Sequence, residues 1–146
     1  MSAYRTVVVG TDGSDSSLRA VDRAGTIAGA NAKLIVASAY LPQHEDARAA
    51  DTLGSESYKV SGAAPIYAIL QEAKERAQAA GATNVEERSV VGAPVDALVG
   101  LAEEVGADLL VVGNVGLSTI AGRLLGSVPA NVSRRAKVDV LIVHTS

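Results

Sequence analysis

The amino-acid sequence predicts an α/β protein with a doubly wound parallel sheet and helices on both faces. Short apolar runs rich in valine, isoleucine and leucine alternate along the chain with longer segments whose apolar residues recur at helical spacing. Strands that alternate with helices in this way are typical of parallel sheets. The chain contains no phenylalanine and no tryptophan, and 48% of its residues are hydrophobic. Its core is therefore aliphatic, as is usual for parallel sheets covered by helices.

The first three elements are bounded by turn and cap residues. Residues 6–10 (TVVVG) form a β-branched run that ends in glycine and predict a buried strand. A turn follows, and Ser14 is a suitable N-cap for a helix that stops at Gly29. Residues 33–40 (KLIVASAY) predict a second buried strand. The apolar stripe of the intervening helix consists of Leu18, Val21, Ala24 and Ala28.

Residues 41–62 differ from the rest of the chain, because they are polar, mixed in charge and without a clear period. An irregular stretch of this length is unusual in a compact domain and indicates a mobile or functional excursion, in which residues 45–50 could form a short helix. Pro65 then suits the start of a helix that Gly81 ends. The apolar stripe of that helix, which we assign to the core, consists of Ile66, Ile69, Leu70, Ala73, Ala77 and Ala80.

A third strand and a third helix follow. Residues 84–91 contain the strand, with its apolar part at the end, and Pro94 opens a helix that stops at Gly106. The apolar residues of this helix are Val95, Leu98, Leu101, Ala102 and Val105. Residues 108–113 (DLLVVG) predict the fourth strand.

The end of the chain contains a glycine-rich loop, a short helix and a last strand. The helix starts at Ser127 or Val128 and runs to about Ala136, and residues 138–144 (VDVLIVH) predict the fifth strand. The sequence shows no internal repeat, low-complexity tract or second-domain linker. We therefore expect one domain over residues 1–146.

Composition and charge exclude several classes of function. The net charge of −3 argues against a nucleic-acid partner bound through a basic surface. The absence of cysteine excludes disulfide frameworks, thiolate metal sites and cysteine nucleophiles. No apolar run approaches the roughly 20 residues that span a bilayer, and the first residues lack a basic segment followed by a long apolar one. We therefore expect a cytoplasmic protein with no membrane partner.

Two loops at the predicted carboxyl edge of the sheet contain glycine, residues 10–14 (GTDGS) and residues 113–127 (GNVGLSTIAGRLLGS). Ligands of open α/β sheets bind outside this edge. Each loop leads to a helix N-terminus, whose unpaired N–H groups attract anions, and glycine lets the backbone approach a phosphate closely. With Ser127 as a further donor, the loops predict a phosphate cradle made mostly of backbone. The spacing fits neither a Walker P-loop nor the G-x-G-x-x-G dinucleotide fingerprint.

These residues resemble a known family. The arrangement Gly113-x2-Gly116-x9-Gly126-Ser127, after the fourth strand, resembles the nucleotide-binding signature of the universal stress protein family. The start TVVVGTDGSDSS resembles the first strand and turn of that family, which carries an acidic residue at the position of Asp12. The end GSVPANVSRRAKVDVLIVH resembles its closing helix and strand. The resemblance therefore covers the whole chain.

The resemblance implies a Rossmann-like sheet of five strands in the order 3-2-1-4-5, which places the two loops side by side at one crevice. It also implies a homodimer formed through the C-terminal strand. In nucleotide-binding members the adenine lies against the first two strands, so Asp12 would face the ribose or adenine and the Ala39 backbone would meet the adenine edge. Residues 112–113 would line the sugar, and Gly116 with residues 126–128 would hold phosphate oxygens. The implied nucleotide-binding residues are Gly10, Thr11, Asp12, Ala39, Val112, Gly113, Asn114, Gly116, Gly126, Ser127 and Val128.

The glycine signature departs from the common pattern between Gly113 and Gly116. ATP-binding members often carry polar or basic residues where this chain has Asn114 and Val115, and no lysine occurs within residues 113–127. A triphosphate brings about four negative charges, and desolvating them without partners is costly. Magnesium, held with the help of Asp12, or the side chain of Arg123 could compensate. The ligand is therefore ATP, with Mg²⁺, or cyclic AMP, and the charge argument favours cyclic AMP.

Catalysis has weak support in the sequence, and we assign no catalytic residue. His44 and His144 are far apart in the chain, and Asp12 is the one carboxylate that we expect in the crevice. Our main interpretation is an adenine-nucleotide-binding signalling protein. The alternatives are a slow ATPase or phosphotransferase, a nucleotide-independent dimeric interaction protein, and a flavin or redox module. The absence of tryptophan, phenylalanine and cysteine argues against the last of these.

Overall fold

The computed structural model describes residues 4–40, 63–113, 132 and 136–144. Within these ranges, strands and helices alternate as the sequence predicts. The elements are β1 (Thr6–Gly10), α1 (Asp15–Ala28), β2 (Lys33–Tyr40), α2 (Ala63–Ala79), β3 (Asn84–Val91), α3 (Pro94–Val105), β4 (Leu109–Gly113) and β5 (Asp139–Val143). The predicted bounds of the first three strands, of α1 and of α3 are confirmed.

The five strands form one parallel sheet in the order β3-β2-β1-β4-β5, which confirms the predicted topology. The strand β1 lies at the centre, and its register pairs Gly10 with Ala37 of β2 and Val9 with Val111 of β4. On β4, Gly113 lies opposite Val143 of β5. The carboxyl ends of β1, β2 and β4 therefore meet at the same edge of the sheet.

Helices cover both faces of the sheet, and each face has its own aliphatic core. On one face, α1 and α2 pack against alternate residues of the central strands, including Val7 and Val9 of β1. On the other face, α3 and Val132 pack against the intervening residues, including Val8. The alternation follows from the period of two in a strand, which sends successive side chains to opposite faces. A strand buried on both faces therefore reads as a continuous apolar run, as β1 and β4 do.

The helix ends have the expected local chemistry. The side chain of Ser14 accepts a hydrogen bond from the Ser17 N–H at 3.2 Å, which confirms Ser14 as the N-cap of α1. Gly106 ends α3 in the left-handed conformation, with φ of 66°, which glycine adopts without a Cβ penalty. The helix α2 begins at Ala63, two residues earlier than the predicted start at Pro65. Proline is tolerated there because the N–H groups of a first helical turn have no intrahelical acceptor.

Two strands are shorter than the sequence predicts. The strand β4 begins at Leu109, and the carboxylate of the preceding Asp108 binds the start of β1, where it accepts the N–H groups of Arg5, at 2.8 Å, and Thr6, at 3.2 Å. The strand β5 spans Asp139–Val143, so Val138 and His144 flank it.

The remaining sequence predictions concern residues that the structure does not describe. The excursion at 41–62, with its optional helix at 45–50, lies outside the described residues. Of the closing helix, Val132 is helical, and its carbonyl accepts the Ala136 N–H at 2.9 Å, a helical i→i−4 bond. The single domain over residues 1–146 stays a prediction. In the part of the chain that the structure describes, no helix is long and apolar enough to cross a membrane.

Candidate functional site

The candidate site lies where the strand order reverses. From β1 the chain passes through α1 to β2 on one side, and after β3 it returns through α3 to β4 on the other side of β1. The ends of β1 and β4 are therefore adjacent while their connections diverge, which opens a crevice at the carboxyl edge. Gly10, at the end of β1, and residues 112–113, at the end of β4, lie at this point.

The turn after β1 is fixed by a compact set of hydrogen bonds. The Thr11 N–H donates to the Ala37 carbonyl at 2.9 Å, which continues the pairing of β1 with β2 by one residue. The Thr11 side chain is 2% exposed, and its Oγ1 lies 2.8 Å from the fully buried Ser17 Oγ. The Gly13 N–H donates to Thr11 Oγ1 at 3.0 Å, and the Asp12 N–H donates to Ser17 Oγ at 3.3 Å. The turn is therefore anchored to the first turn of α1.

Asp12 is the acidic residue of this turn, and its two carboxylate oxygens differ. Oδ1 accepts the Ser14 N–H at 2.9 Å. Oδ2 is buried and has no hydrogen-bond partner, the one such side-chain atom among residues 4–40, 63–113, 132 and 136–144. A buried carboxylate oxygen without a donor costs free energy. Asp12 thus presents an acceptor that a ligand could satisfy, at the position where the sequence predicts one.

Glycine is required at positions 10 and 13 of the turn for different structural reasons. A Cβ on Gly10 would lie 2.7 Å from Leu98 Cδ1, because Gly10 faces the side of the sheet that α3 covers. Gly13 has a φ of 86°, which side chains rarely adopt, and a Cβ there would lie 3.0 Å from Ile69 Cγ1 of α2. Close packing of α3 therefore accounts for Gly10, and its predicted contact with a nucleotide stays a prediction.

The other described candidates lie on the neighbouring strand ends. Ala39 is half-buried near the end of β2 and pairs with Val90 of β3, beyond the last residue of β1. Val112 and Gly113 are buried at the end of β4. The structure thus brings Gly10, Thr11, Asp12, Ala39, Val112 and Gly113 to one edge of the sheet.

The predicted phosphate-binding half of the site lies outside the described residues. This holds for Asn114, Gly116, Gly126, Ser127 and Val128. Their role in holding phosphate oxygens therefore stays a prediction from the sequence. The same is true of Arg123 and His44.

Sequence reasoning missed Ser17, which the structure places under the turn. Its hydroxyl contacts Thr11 and Asp12 and donates to the Ser14 carbonyl at 3.0 Å. Its position in the sequence could have indicated this role. Ser17 comes three residues after the N-cap and one residue before Leu18, on the apolar side of the helix. A small polar residue there is directed towards the sheet rather than towards solvent.

The ion pairs of the described residues lie away from this crevice. Lys33 contacts Glu86 at 2.7 Å and lowers the pKa of that carboxyl, while the Glu104 hydrogen bond at 2.9 Å raises the pKa of Arg88. These pairs link β2, β3 and α3 across the surface. His144 is exposed after β5.

An open groove of about 540 Å³ lies at the opposite, amino-terminal edge of the sheet. Its acidic groups already have partners, since Asp108 accepts the two backbone N–H groups described above and Asp139 Oδ2 accepts the Tyr4 hydroxyl at 3.0 Å. Within the described ranges, no three histidine, cysteine or acidic side chains are grouped as a metal site requires. The crevice at Asp12 therefore has the stronger chemical case for ligand binding.

Comparison with known proteins gives concordant matches. The model of the universal stress protein family matches residues 3–144. The universal stress protein Rv1636 of Mycobacterium tuberculosis is 84% identical over 146 residues, which is 100% of both chains. A crystal structure of a universal stress protein in complex with cAMP matches with a TM-score of 0.77 at 71% identity, covering 99% of this chain and 100% of that one.

A distant relative shares the fold alone. The universal stress protein UspA from Lactobacillus plantarum matches with a TM-score of 0.75 at 21% identity, covering 98% of this chain and 99% of that one. The sheet order, the family model and the high identity over the full length agree with the motifs in the sequence. This chain therefore belongs to the universal stress protein family.

Proposed function

We propose that this protein binds an adenine nucleotide in the crevice between the ends of β1 and β4, and that cyclic AMP is the preferred ligand. The observation that carries the proposal is Asp12 Oδ2, a buried acceptor without a donor among the described residues. It lies at the topological switch point, where open α/β sheets bind nucleotides. A ribose hydroxyl or the adenine amino group would supply the missing donor.

The choice of cyclic AMP is supported by a relative and by charge. The relative that is 71% identical to this chain over 99% of its length was crystallised in complex with cAMP. Residues 113–127 contain no lysine, and Arg123 is their one charged residue. A triphosphate would bring about four negative charges to this loop, whereas a cyclic phosphodiester brings one, which backbone N–H groups can satisfy.

The roles of the individual residues follow from their place in the fold and the motif. The Ala39 backbone is proposed to meet the adenine edge, and residues 112–113 to line the sugar. Asn114, Gly116 and residues 126–128 are proposed to surround the phosphate. Should ATP bind instead, Mg²⁺ would be needed to offset its charge, with Asp12 as a protein carboxylate near it.

Calorimetric titration tests the proposal. We expect cyclic AMP to bind the wild-type chain more tightly than ATP, with or without Mg²⁺, because the loop has no lysine and Arg123 is its one basic residue. Asp12→Asn is expected to weaken cyclic AMP binding about tenfold, since it replaces one acceptor oxygen of the carboxyl by an NH2 group, which can only donate. Tighter binding of ATP would overturn the preference, and no binding of either nucleotide would overturn the proposed function.

The same proposal includes a homodimer formed through β5. Within the described residues, β5 is an edge strand, and Ile142 on it is 41% exposed. Exposed strand edges with apolar side chains are prone to pair with another chain. Sedimentation of Ile142→Asp, on β5, and of Val91→Asp, on the opposite edge strand β3, tests this assembly.

A further inference from the structure

Two buried hydroxyls lie under the turn that carries Asp12, and their hydrogen bonds can be assigned to single donors. Ser17 has one hydroxyl hydrogen, which it donates to the Ser14 carbonyl at 3.0 Å. Either oxygen could donate at the 2.8 Å contact between the two hydroxyls, but with the Ser17 hydrogen directed to the Ser14 carbonyl, Thr11 is the donor and neither buried hydroxyl hydrogen is left without an acceptor. Thr11 Oγ1 in turn accepts the Gly13 N–H at 3.0 Å. The hydroxyls thus form a directed chain from Thr11 to Ser17 to the Ser14 carbonyl.

These hydrogen bonds use the hydroxyl hydrogens of both Thr11 and Ser17, so neither side chain can donate to the Asp12 carboxylate. Ser17 Oγ also accepts the Asp12 N–H at 3.3 Å, and Oδ1 of Asp12 accepts the Ser14 N–H at 2.9 Å. Both the backbone and one carboxylate oxygen of Asp12 are therefore held. The second oxygen, Oδ2, is left buried and without a donor in the described part of the chain. The hydrogen bonds of the turn therefore hold Asp12 in place but provide no donor for its Oδ2.

We infer that Ser17 and Thr11 are positioning residues for nucleotide binding, which hold Asp12 so that its Oδ2 accepts a hydrogen bond from a hydroxyl or amino group of the ligand. The inference rests on the proposed function and adds a ligand requirement to it. The ligand must present a hydrogen-bond donor to the crevice. Ser17 itself is fully buried, so it acts through Asp12 and not by contact.

A purely structural role for Ser17 makes a different prediction. Ser17 belongs to the first turn of α1, and its loss would then weaken ligand binding through the fold of the turn, whatever residue stands at position 12. A positioning role requires that the effect of Ser17 depends on the Asp12 carboxylate. Double-mutant cycles measure this dependence.

The experiment is a cycle of Ser17→Ala, Asp12→Asn and the double variant, each titrated with cyclic AMP by calorimetry. We expect Ser17→Ala to weaken binding about fivefold, the effect of losing one or two net hydrogen bonds that orient the acceptor. In the Asp12→Asn background the same change is expected to weaken binding less than about twofold. The matched control is Thr26→Ala, on the same helix, whose hydroxyl donates to the Asp22 carbonyl at 3.1 Å far from the turn. It is expected to leave the affinity unchanged.

A second pair of variants keeps the test valid if Ser17→Ala does not fold. Thr11→Val keeps the shape of a buried side chain and removes the hydroxyl, whereas Thr11→Ser retains the hydroxyl. We expect Thr11→Val to weaken cyclic AMP binding about fivefold. Thr11→Ser, which keeps the hydroxyl, is expected to bind cyclic AMP nearly as tightly as the wild type.

The outcomes separate this inference from the proposed function. If the wild-type chain binds cyclic AMP and Ser17→Ala binds it equally well, the positioning role is wrong while the proposed function stands. An equal loss from Ser17→Ala with and without the Asp12 carboxylate would also overturn it, as would equal affinities of Thr11→Val and Thr11→Ser. If the wild-type chain binds no nucleotide, the proposed function fails first.

Discussion

Glycine at the end of β1 shows how the packing of a distant helix can determine the residue type at one position. Gly10 faces α3, and a Cβ on it would lie 2.7 Å from Leu98 Cδ1 and 3.1 Å from Cδ2. Leu98 is 1% exposed and packed within the core of that face, so it has little room to move away. From the sequence, Gly10 is expected to end β1 and, through the family resemblance, to contact the nucleotide. Its contact with Leu98 is not visible in the local sequence, because α3 begins more than eighty residues later.

We predict that Gly10→Ala lowers the free energy of unfolding by about 1–3 kcal/mol, the usual cost of overpacking a core. Denaturant unfolding followed by circular dichroism measures it. The matched control is Gly100→Ala on α3, where a Cβ would meet nothing within 4 Å among the described residues. That change is expected to raise the free energy of unfolding by about 0.5–1 kcal/mol, since alanine favours a helix more than glycine does. Equal effects of the two changes would contradict the packing argument.

At the scale of the elements, much of the fold follows from local sequence. The strands β1 and β2 are apolar runs with clear ends, and α1 carries both its serine cap and its glycine stop. Long-range contacts are what local pattern cannot supply. The Asp108 carboxylate, just before β4, accepts N–H groups of residues 5–6, and the role of Ser17 depends on the buried hydroxyl of Thr11. The sequence therefore indicated which loops form the candidate site, but not the buried hydroxyls of Thr11 and Ser17 that support the first of them.

The pairing of β2 with β3 gives a prediction on pH. Lys33 contacts Glu86 at 2.7 Å and is the main cause of the lowered pKa of Glu86, with a smaller contribution from Arg88 at 3.7 Å. A carboxyl whose pKa is lower in the folded state stabilises it above the ordinary value of 4.5. That stabilisation is lost as the pH falls through the lowered pKa. We therefore expect Glu86→Gln to destabilise the protein at pH 7 and to be neutral at strongly acidic pH.

The size of this effect is limited by solvent, because the two side chains are 42% and 38% exposed. We expect a loss of at most about 0.5 kcal/mol at pH 7, reduced further by high salt. The control is Glu87→Gln on the same strand, which removes the same charge where the described residues form no ion pair. Urea unfolding of both variants across the acidic range measures the difference. A loss that persists below the lowered pKa, or an equal loss at Glu87, would contradict the assignment.

At the scale of the whole molecule, the two edges of the sheet differ in a way that bears on assembly. The strand β3 carries Glu86, Glu87 and Arg88 in succession, and charged side chains on an edge discourage pairing with another chain. The strand β5, with the sequence DVLIV, has one charge at its first residue and exposes Ile142. The chemistry of the edges therefore favours β5 as the side on which a second copy adds.

We predict that Ile142→Asp converts the proposed dimer to a monomer. The new carboxylate would lie where two apolar strand edges meet, and dimer formation would remove its hydration at a cost in free energy. Analytical ultracentrifugation measures the mass in solution. The matched control is Val91→Asp on the opposite edge, where the side chain is 57% exposed and the same charge remains in water. This control is expected to sediment as the wild type does. A dimer that survives Ile142→Asp but is lost in Val91→Asp would place the interface on β3, and the argument from edge charges would then be wrong.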